Sequence, residues 1–146
     1  MSNWQQQFYE SYIAGNSGKP AKRQTTRKPK TDYKAIFLAK LKAERLPMPT
    51  HGQGCGEKEY QFHESRRWRF DFCWIGIGQK LAVEYQGLNW KGSGNSGHQS
   101  IDGLRRDCEK FTEASLAGWR LILITAETVN NGQAVEWVRR ALKGGR

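Results

Sequence analysis

The chain has 146 residues, with 24 lysines and arginines against 14 aspartates and glutamates, which gives a formal net charge of +10. This length suffices for one domain with a hydrophobic core. The excess positive charge favours a polyanionic partner, either nucleic acid or an acidic membrane surface. No apolar run approaches the ~18 residues typical of a membrane-spanning helix, and residues 1–10 are too polar for a secretory signal. We therefore expect a cytoplasmic protein with no membrane partner.

The cysteines argue against two further classes of small protein. Cys55, Cys73 and Cys108 are odd in number and include no CxxC pair. Such a set favours reduced thiols over a disulfide scaffold, and it lacks the ligand spacing of a structural zinc site.

Basic residues are concentrated near the N-terminus. Half of positions 19–30 are basic, and no acidic residue occurs between Ser11 and Thr31. Residues 1–31 are therefore predicted to form a disordered arm, because they have too few apolar groups to build a core. The arm is either a solubilising tail or a segment that follows nucleic-acid phosphates, and we favour the second because the remaining chain is also basic. The residues predicted to contact phosphates here are Lys22, Arg23, Arg27 and Lys28.

Residues 32–146 carry the hydrophobic patterns of a folded domain. Apolar residues recur at helical spacing in some segments and alternate in others, which indicates helices and strands respectively. The order α-β-β-β-α-β-α predicts an α/β fold with a mixed central sheet flanked by helices. In chain order, the predicted elements are a helix at Tyr33–Leu46, a loop at His51–Gly56, strands at Glu59–His63, Arg67–Ile75 and Lys80–Gln86, a glycine-rich loop at Gly87–Gly97, a helix from Ile101 to Gly118, a strand at Arg120–Thr125 and a helix at Gln133–Leu142.

Two acidic residues are predicted to meet across the second and third strands. A two- or four-residue hairpin turn between these strands places Ile75 opposite Lys80. The same register places Asp71 directly opposite Glu84, with their Cβ atoms about 5 Å apart. One face of the second strand would then be apolar and the other would carry the acid. The members of these faces are Trp68, Phe70, Phe72 and Trp74 on the first, and Arg67, Arg69, Asp71 and Cys73 on the second.

Two carboxylates so close together repel each other unless a cation lies between or beside them. Mg²⁺ suits this role, because it is bound by one or two carboxylates and keeps its remaining positions for water and substrate phosphate. Bound there, it would activate water and offset charge on a phosphate. The alternative is that Arg67 or Arg69 neutralises the pair as a surface ion cluster.

The segments around this acid pair resemble a known family. The runs RRWRFDF (Arg66–Phe72) and LAVEYQG (Leu81–Gly87), followed by a glycine-rich loop, DCEK (Asp107–Lys110) and GWR (Gly118–Arg120), are similar to the PD-(D/E)XK nuclease superfamily. Within it, they resemble small phage and prophage endonuclease-like proteins. The resemblance implies a restriction-endonuclease-like αβββαβα core and a DNA partner. It also implies that the protein is located in the cytoplasm of a bacterium or of a phage-infected host. It also implies Mg²⁺-dependent phosphodiester hydrolysis that leaves 5′-phosphate and 3′-hydroxyl ends, with Mn²⁺ able to replace Mg²⁺.

The same resemblance assigns roles to individual residues. Asp71 and Glu84 would bind the metal, the Tyr85 carbonyl could be a third ligand, and Glu59 matches an upstream acid found in parts of the superfamily. Gln86 departs from the pattern, because the superfamily motif has lysine at this position. A glutamine can orient a water molecule but brings no positive charge.

A lysine from elsewhere could compensate for Gln86. In the helix that follows the glycine-rich loop, Ile101, Leu104, Cys108, Phe111 and Ser115 form the apolar stripe. Gly103, Asp107, Lys110 and Ala114 share the edge beside that stripe. If this edge lies against the hairpin, Lys110 could reach the metal site and support developing charge. The alternative is an intrahelical Asp107–Lys110 pair.

Further residues are predicted to bind nucleic acid. Trp90 in the glycine-rich loop could stack on an unpaired base or pack on the core. His98 could contact a phosphate or remain solvated. The basic side chains expected at phosphates are Lys91, Arg105, Arg106, Arg67 and Arg69, for which a solvated surface is the competing interpretation.

Taken together, the sequence predicts a Mg²⁺-dependent DNA endonuclease that needs no other small-molecule cofactor. The short chain leaves no room for a separate sequence-reading domain, so structure-selective cutting of branched or nicked DNA is expected, in one version as a homodimer. The alternative is a catalytically inactive nucleic-acid-binding module of the same fold, which Gln86 favours.

Overall fold

A computed structural model describes residue 7 and residues 29–76, 79–87 and 101–144 of the chain. The chain divides into two compact units, Met1–Thr31 and Asp32–Arg146, and the elements named below all belong to the second unit. In chain order they are α1 (Tyr33–Ala43), β1 (His51–Gly52), β2 (Phe72–Gly76), β3 (Gln79–Tyr85), α2 (Ile101–Leu116), β4 (Arg120–Ile124), α3 (Ala126–Asn130) and α4 (Gln133–Lys143).

The four strands form one sheet in the order β1-β2-β3-β4. β1 pairs with β2 and β2 pairs with β3 in antiparallel fashion, whereas β3 and β4 are parallel. A parallel pair requires a long crossover connection, and here the connection contains α2. The predicted α/β class with a mixed sheet is confirmed.

The register of the central hairpin is also confirmed. Ile75 lies opposite Lys80, and Phe72 lies opposite Val83 at the far end of the ladder. One further step in this register brings Asp71 beside Glu84.

Buried side chains form one cluster on each face of the sheet. The larger cluster lies between the sheet and the helices α1, α3 and α4, and the smaller one lies beside α2. The larger cluster is built from Phe37, Leu38, Leu41, Phe72, Trp74, Leu81, Val83, Ile124, Val129, Ala134, Val135 and Val138. The smaller cluster is built from Phe70, Cys73, Ala82, Ala114 and Trp119.

The structure corrects three predicted segments. The strand predicted at Glu59–His63 is reduced to a single bridge between Gln61 and Arg69, and the first strand is instead β1, inside the predicted loop at His51–Gly56. Only the second half of the strand predicted at Arg67–Ile75 belongs to β2. The helix α3 was not predicted at all, because five residues are too few to show helical periodicity.

The apolar face predicted for the second strand is wrong at Phe70. Phe72 and Trp74 lie in the larger cluster, whereas Phe70 packs in the smaller one. The chain bends at Asp71, and the Phe70 amide donates to the Tyr60 carbonyl at 3.1 Å instead of continuing the ladder with β3. The bend resets the alternation of side chains between the two faces.

The buried face of α2 also differs from the prediction. Leu104, in the predicted apolar stripe, is 63% exposed, whereas Ala114 is fully buried. Cys108 and Ser115 are exposed as well. The edge that contains Lys110 and Ala114 therefore faces the sheet, because a small side chain allows close approach and a lysine can pair with a buried acid.

Candidate active site

The site lies at the edge of the sheet where β2 begins and β3 ends, and Asp71 is its first residue along the chain. Asp71 is the residue before β2, and its Oδ2 accepts a hydrogen bond from the Tyr85 amide at 2.9 Å. In a continuing antiparallel ladder a main-chain carbonyl would accept this bond. The carboxylate of Asp71 thus takes the place of a ladder carbonyl, which fixes its position at the end of the sheet.

Glu84 meets Asp71 from the neighbouring strand. Its Oε1 accepts a hydrogen bond from the Asp71 amide at 3.3 Å. Glu84 is 7% exposed and is the one charged or polar residue buried among those that the structure describes. Two carboxylates therefore converge at the strand ends, in the register that the sequence predicts.

Two lysines neutralise these acids from opposite faces of the sheet. Lys34 of α1 lies 2.5 Å from Asp71 Oδ1, and Lys110 of α2 lies 2.7 Å from Glu84 Oε1. The interpretation in which Arg67 or Arg69 neutralises the pair is wrong, since both arginines are exposed and the pairing cations are lysines.

Lys110 is held by more than one contact. Besides Glu84, its ammonium donates to the Arg69 carbonyl at 2.6 Å and lies 5.8 Å from the centre of the Phe70 ring. The predicted reach of Lys110 to the acid pair is confirmed by its contact with Glu84. Among the described residues, its ion-pair partner is Glu84 and not Asp107, as the alternative would have it. Its catalytic role stays a prediction.

Burial dominates the electrostatics of Glu84. The pKa of its carboxyl is raised from 4.5 to about 7, chiefly because burial removes its contact with water, and the charge of Asp71 acts in the same direction. Lys110 lowers this pKa through its charge and its hydrogen bond, but only in part. Aromatic rings pack close to Lys110 at this site: the centres of the Phe62 and Phe70 rings are 4.3 Å apart, and those of the Phe70 and Trp119 rings are 4.7 Å apart.

Lys34 was not among the residues predicted for this site. It comes from the first turn of α1, 37 residues before its partner Asp71. A signal was present: Lys34 precedes the buried residues Phe37, Leu38 and Leu41 by three, four and seven positions. This spacing places all four side chains on one face of a helix, so a lysine there should reach the sheet.

The oxygens at this site suit a hard divalent cation. Mg²⁺ prefers carboxylate and carbonyl oxygens, and Asp71 and Glu84 supply two carboxylates. Because the N–H and C=O of a strand residue point the same way, the Tyr85 carbonyl lies on the side of its amide, toward Asp71. Among the described residues, no group of three or more histidine, cysteine, aspartate or glutamate side chains is placed to hold a metal ion. The role of Glu59 as an upstream acidic ligand stays a prediction.

The remaining predicted residues are only partly described. Gln86 follows β3 and is half-buried. Its main-chain amide donates a hydrogen bond to the Ile124 carbonyl at 2.7 Å. Arg105 and Arg106 are exposed on α2. Arg105 lies 3.7 Å from the carboxylate of Asp102, and Arg106 donates a hydrogen bond to the main-chain carbonyl of Asp102 at 3.3 Å. The predicted nucleic-acid contacts that lie outside the described residues are Lys22, Arg23, Arg27, Lys28, Trp90, Lys91 and His98.

Comparisons with known proteins add no assignment to this geometry. No family model, curated protein or solved structure matches the chain. None of the described helices has the length and apolar composition needed to cross a membrane.

Proposed function

We propose that this chain is a metal-dependent DNA endonuclease with a restriction-endonuclease-like core. The observation that carries the proposal is an acid pair, half-buried Asp71 and buried Glu84, in a chain whose net charge is +10. A buried ion pair often stabilises a fold no more than apolar residues of similar volume would, so stability alone does not explain two carboxylates gathered at one end of the sheet. An anionic metal site within a cationic surface suits metal-dependent phosphodiester hydrolysis, because the acids bind the metal and the basic groups attract the phosphates.

Asp71 and Glu84 would hold Mg²⁺, with the Tyr85 carbonyl as a further oxygen ligand. When bound, the metal would supply an activated water molecule and offset charge on the attacked phosphate. The Tyr85 amide fixes the orientation of Asp71, and the Asp71 amide does the same for Glu84. Main-chain donors would thereby help to preorganise both carboxylates, in addition to the two lysines.

Two other side chains would assist the reaction. Lys110 would stabilise negative charge that develops on the phosphate, since its ammonium already lies within the site. Gln86 would orient the attacking water through its side-chain amide, although this group cannot act as a base near neutral pH. The proton of that water would therefore pass to solvent or to a group on the substrate.

The basic surface would bind the DNA backbone. Arg67, Arg69, Arg105 and Arg106 are exposed, and arginine is suited to bidentate contacts with phosphate. Contacts of this kind position DNA without reading its sequence. This supports a preference for DNA structure, such as branches or nicks, over base sequence.

The proposal is tested by incubating the full chain with linear, nicked, flapped and four-way-branched DNA in Mg²⁺, Mn²⁺ or EDTA. We expect cleavage with either metal, none with EDTA, and products with 5′-phosphate ends. Absence of cleavage on every substrate, together with DNA binding by gel shift, would instead support the binding module that Gln86 favours.

A further inference from the structure

The two lysines at the acid pair differ in how firmly they are held. The Lys110 side chain is 14% exposed and has a second bond, to the Arg69 carbonyl. The Lys34 side chain is 31% exposed and, among the described residues, its ammonium bonds to Asp71 alone. Lys110 is therefore part of the packed interior, whereas Lys34 can leave its partner at little cost to the fold.

The two oxygens of Asp71 differ in the same way. Oδ2 accepts the Tyr85 amide, a bond that closes the end of the sheet. Oδ1 is bonded to Lys34. A divalent cation that binds Asp71 has the freer approach at Oδ1, because Oδ2 already accepts the bond that closes the sheet, and Oδ1 is the oxygen that Lys34 occupies.

We infer that Lys34 is a displaceable counter-ion that competes with the divalent metal for Asp71 Oδ1. It keeps the acid pair neutral when metal is scarce and swings out on its flexible stem when metal binds. This inference rests on the proposed function, because it concerns regulation of the same site. It predicts that Lys34 weakens metal binding, although it brings no ligand of its own.

The test measures Mn²⁺ binding to the full chain without DNA, from the decrease in the electron paramagnetic resonance signal of free Mn²⁺. We expect Lys34→Gln to bind Mn²⁺ about three- to fivefold more tightly than the wild type, the upper part of the range expected from removing one partly exposed ion pair. Lys34→Met, which keeps the apolar stem, should act in the same direction. Lys34→Arg, which keeps the charge, should stay within about twofold of the wild type.

Lys42→Gln is the matched control, because it removes the same charge from an exposed position on the same helix. It should also stay within about twofold of the wild type. Far-UV circular dichroism and thermal melting verify that each variant folds. An unchanged or weaker affinity in both neutral Lys34 variants, or an equal gain in Lys42→Gln, overturns the inference.

The outcomes separate this inference from the proposed function. If Asp71→Asn loses Mn²⁺ binding while Lys34→Gln matches the wild type, the competition fails and the metal site stands. If neither the wild type nor Lys34→Gln binds Mn²⁺, both proposals fail.

Discussion

At the scale of single residues, burial and ionisation place opposed requirements on Glu84. Glu84 must be buried to face α2, yet a buried carboxylate is poorly solvated and its proton is held more tightly. Lys110 offsets this only in part, so burial remains the largest influence on the Glu84 pKa. Such a conflict is typical of functional sites, where stability is given up for reactivity.

The pKa of Glu84 makes the stability of the fold depend on pH. Because the folded-state pKa is raised from 4.5 to about 7, the folded chain holds more protons than the unfolded chain between these values. The free energy of unfolding should therefore fall as pH rises through this window, by at most about 1.4 kcal/mol per pH unit. Urea unfolding of the wild type and Glu84→Gln at several pH values measures this, and the variant should lack the decline. Equal slopes in the two proteins would show that Glu84 does not titrate in this window.

At this scale, the position of Asp71 beside Glu84 could be predicted from the sequence, because hairpin register is a local rule. The contact of Lys34 could not, because its partner is 37 residues away. No local rule states which helix covers which face of a sheet. The helical spacing of Lys34 from buried residues was informative, but only once the position of α1 was known.

At the scale of elements, the bend at Asp71 shapes the site. The bend turns Phe70 away from the larger cluster and under the ammonium of Lys110. It also frees the Tyr85 amide to bond the Asp71 side chain. A regular strand, as alternation predicts, would have kept that amide in the ladder, and Asp71 would have lost its fixed orientation.

The buried face of α2 gives an element-scale prediction. Ala114 is fully buried against the sheet, so Ala114→Leu should overpack the interface and lower the free energy of unfolding by about 1–3 kcal/mol. Ala117→Leu makes the same change at an exposed position just after α2 and should alter it by less than about 0.5 kcal/mol. Urea unfolding compares the two variants. Equal effects would mean that this edge of α2 does not pack on the sheet.

The predicted position of α2 along the chain agrees with the structure, but its predicted buried face does not. The predicted apolar stripe, which includes Leu104 and Cys108, is more hydrophobic than the edge that is buried. On the buried edge, Lys110 pairs with Glu84, and Ala114 packs in one cluster with Ala82 and Trp119. Polar pairing across elements can thus override hydrophobic periodicity.

At the scale of the whole molecule, the proposed function gives the net charge and the acid pair separate tasks. The net charge of +10 would attract DNA without regard to sequence, and this attraction would weaken as salt screens it. The acid pair is locally neutral, with each carboxylate beside a lysine. Binding and cleavage should therefore be separable by mutation.

The basic arm can be tested through salt dependence. Replacing Lys22, Arg23, Arg27 and Lys28 by alanine in the full chain should weaken DNA binding. It should also reduce the slope of log affinity against log salt concentration by about 0.9 for each phosphate that the variant no longer neutralises. Fluorescence anisotropy with labelled duplex DNA at several salt concentrations measures both. An unchanged affinity and slope would identify the arm as a solubilising tail.

The central claim, that Asp71 and Glu84 form the catalytic centre, is tested most directly by the rate of plasmid nicking in Mg²⁺, with DNA affinity measured on the same samples. Asp71→Asn and Glu84→Gln should each lower the rate by more than about a hundredfold, since even residues that merely support metal ligands commonly cost 10- to 100-fold. The DNA affinity of both variants should stay near that of the wild type. Glu127→Gln is the control, because it removes the same charge at an exposed position of α3, and it should cleave at the wild-type rate. Cleavage at the wild-type rate by either site variant would contradict the account.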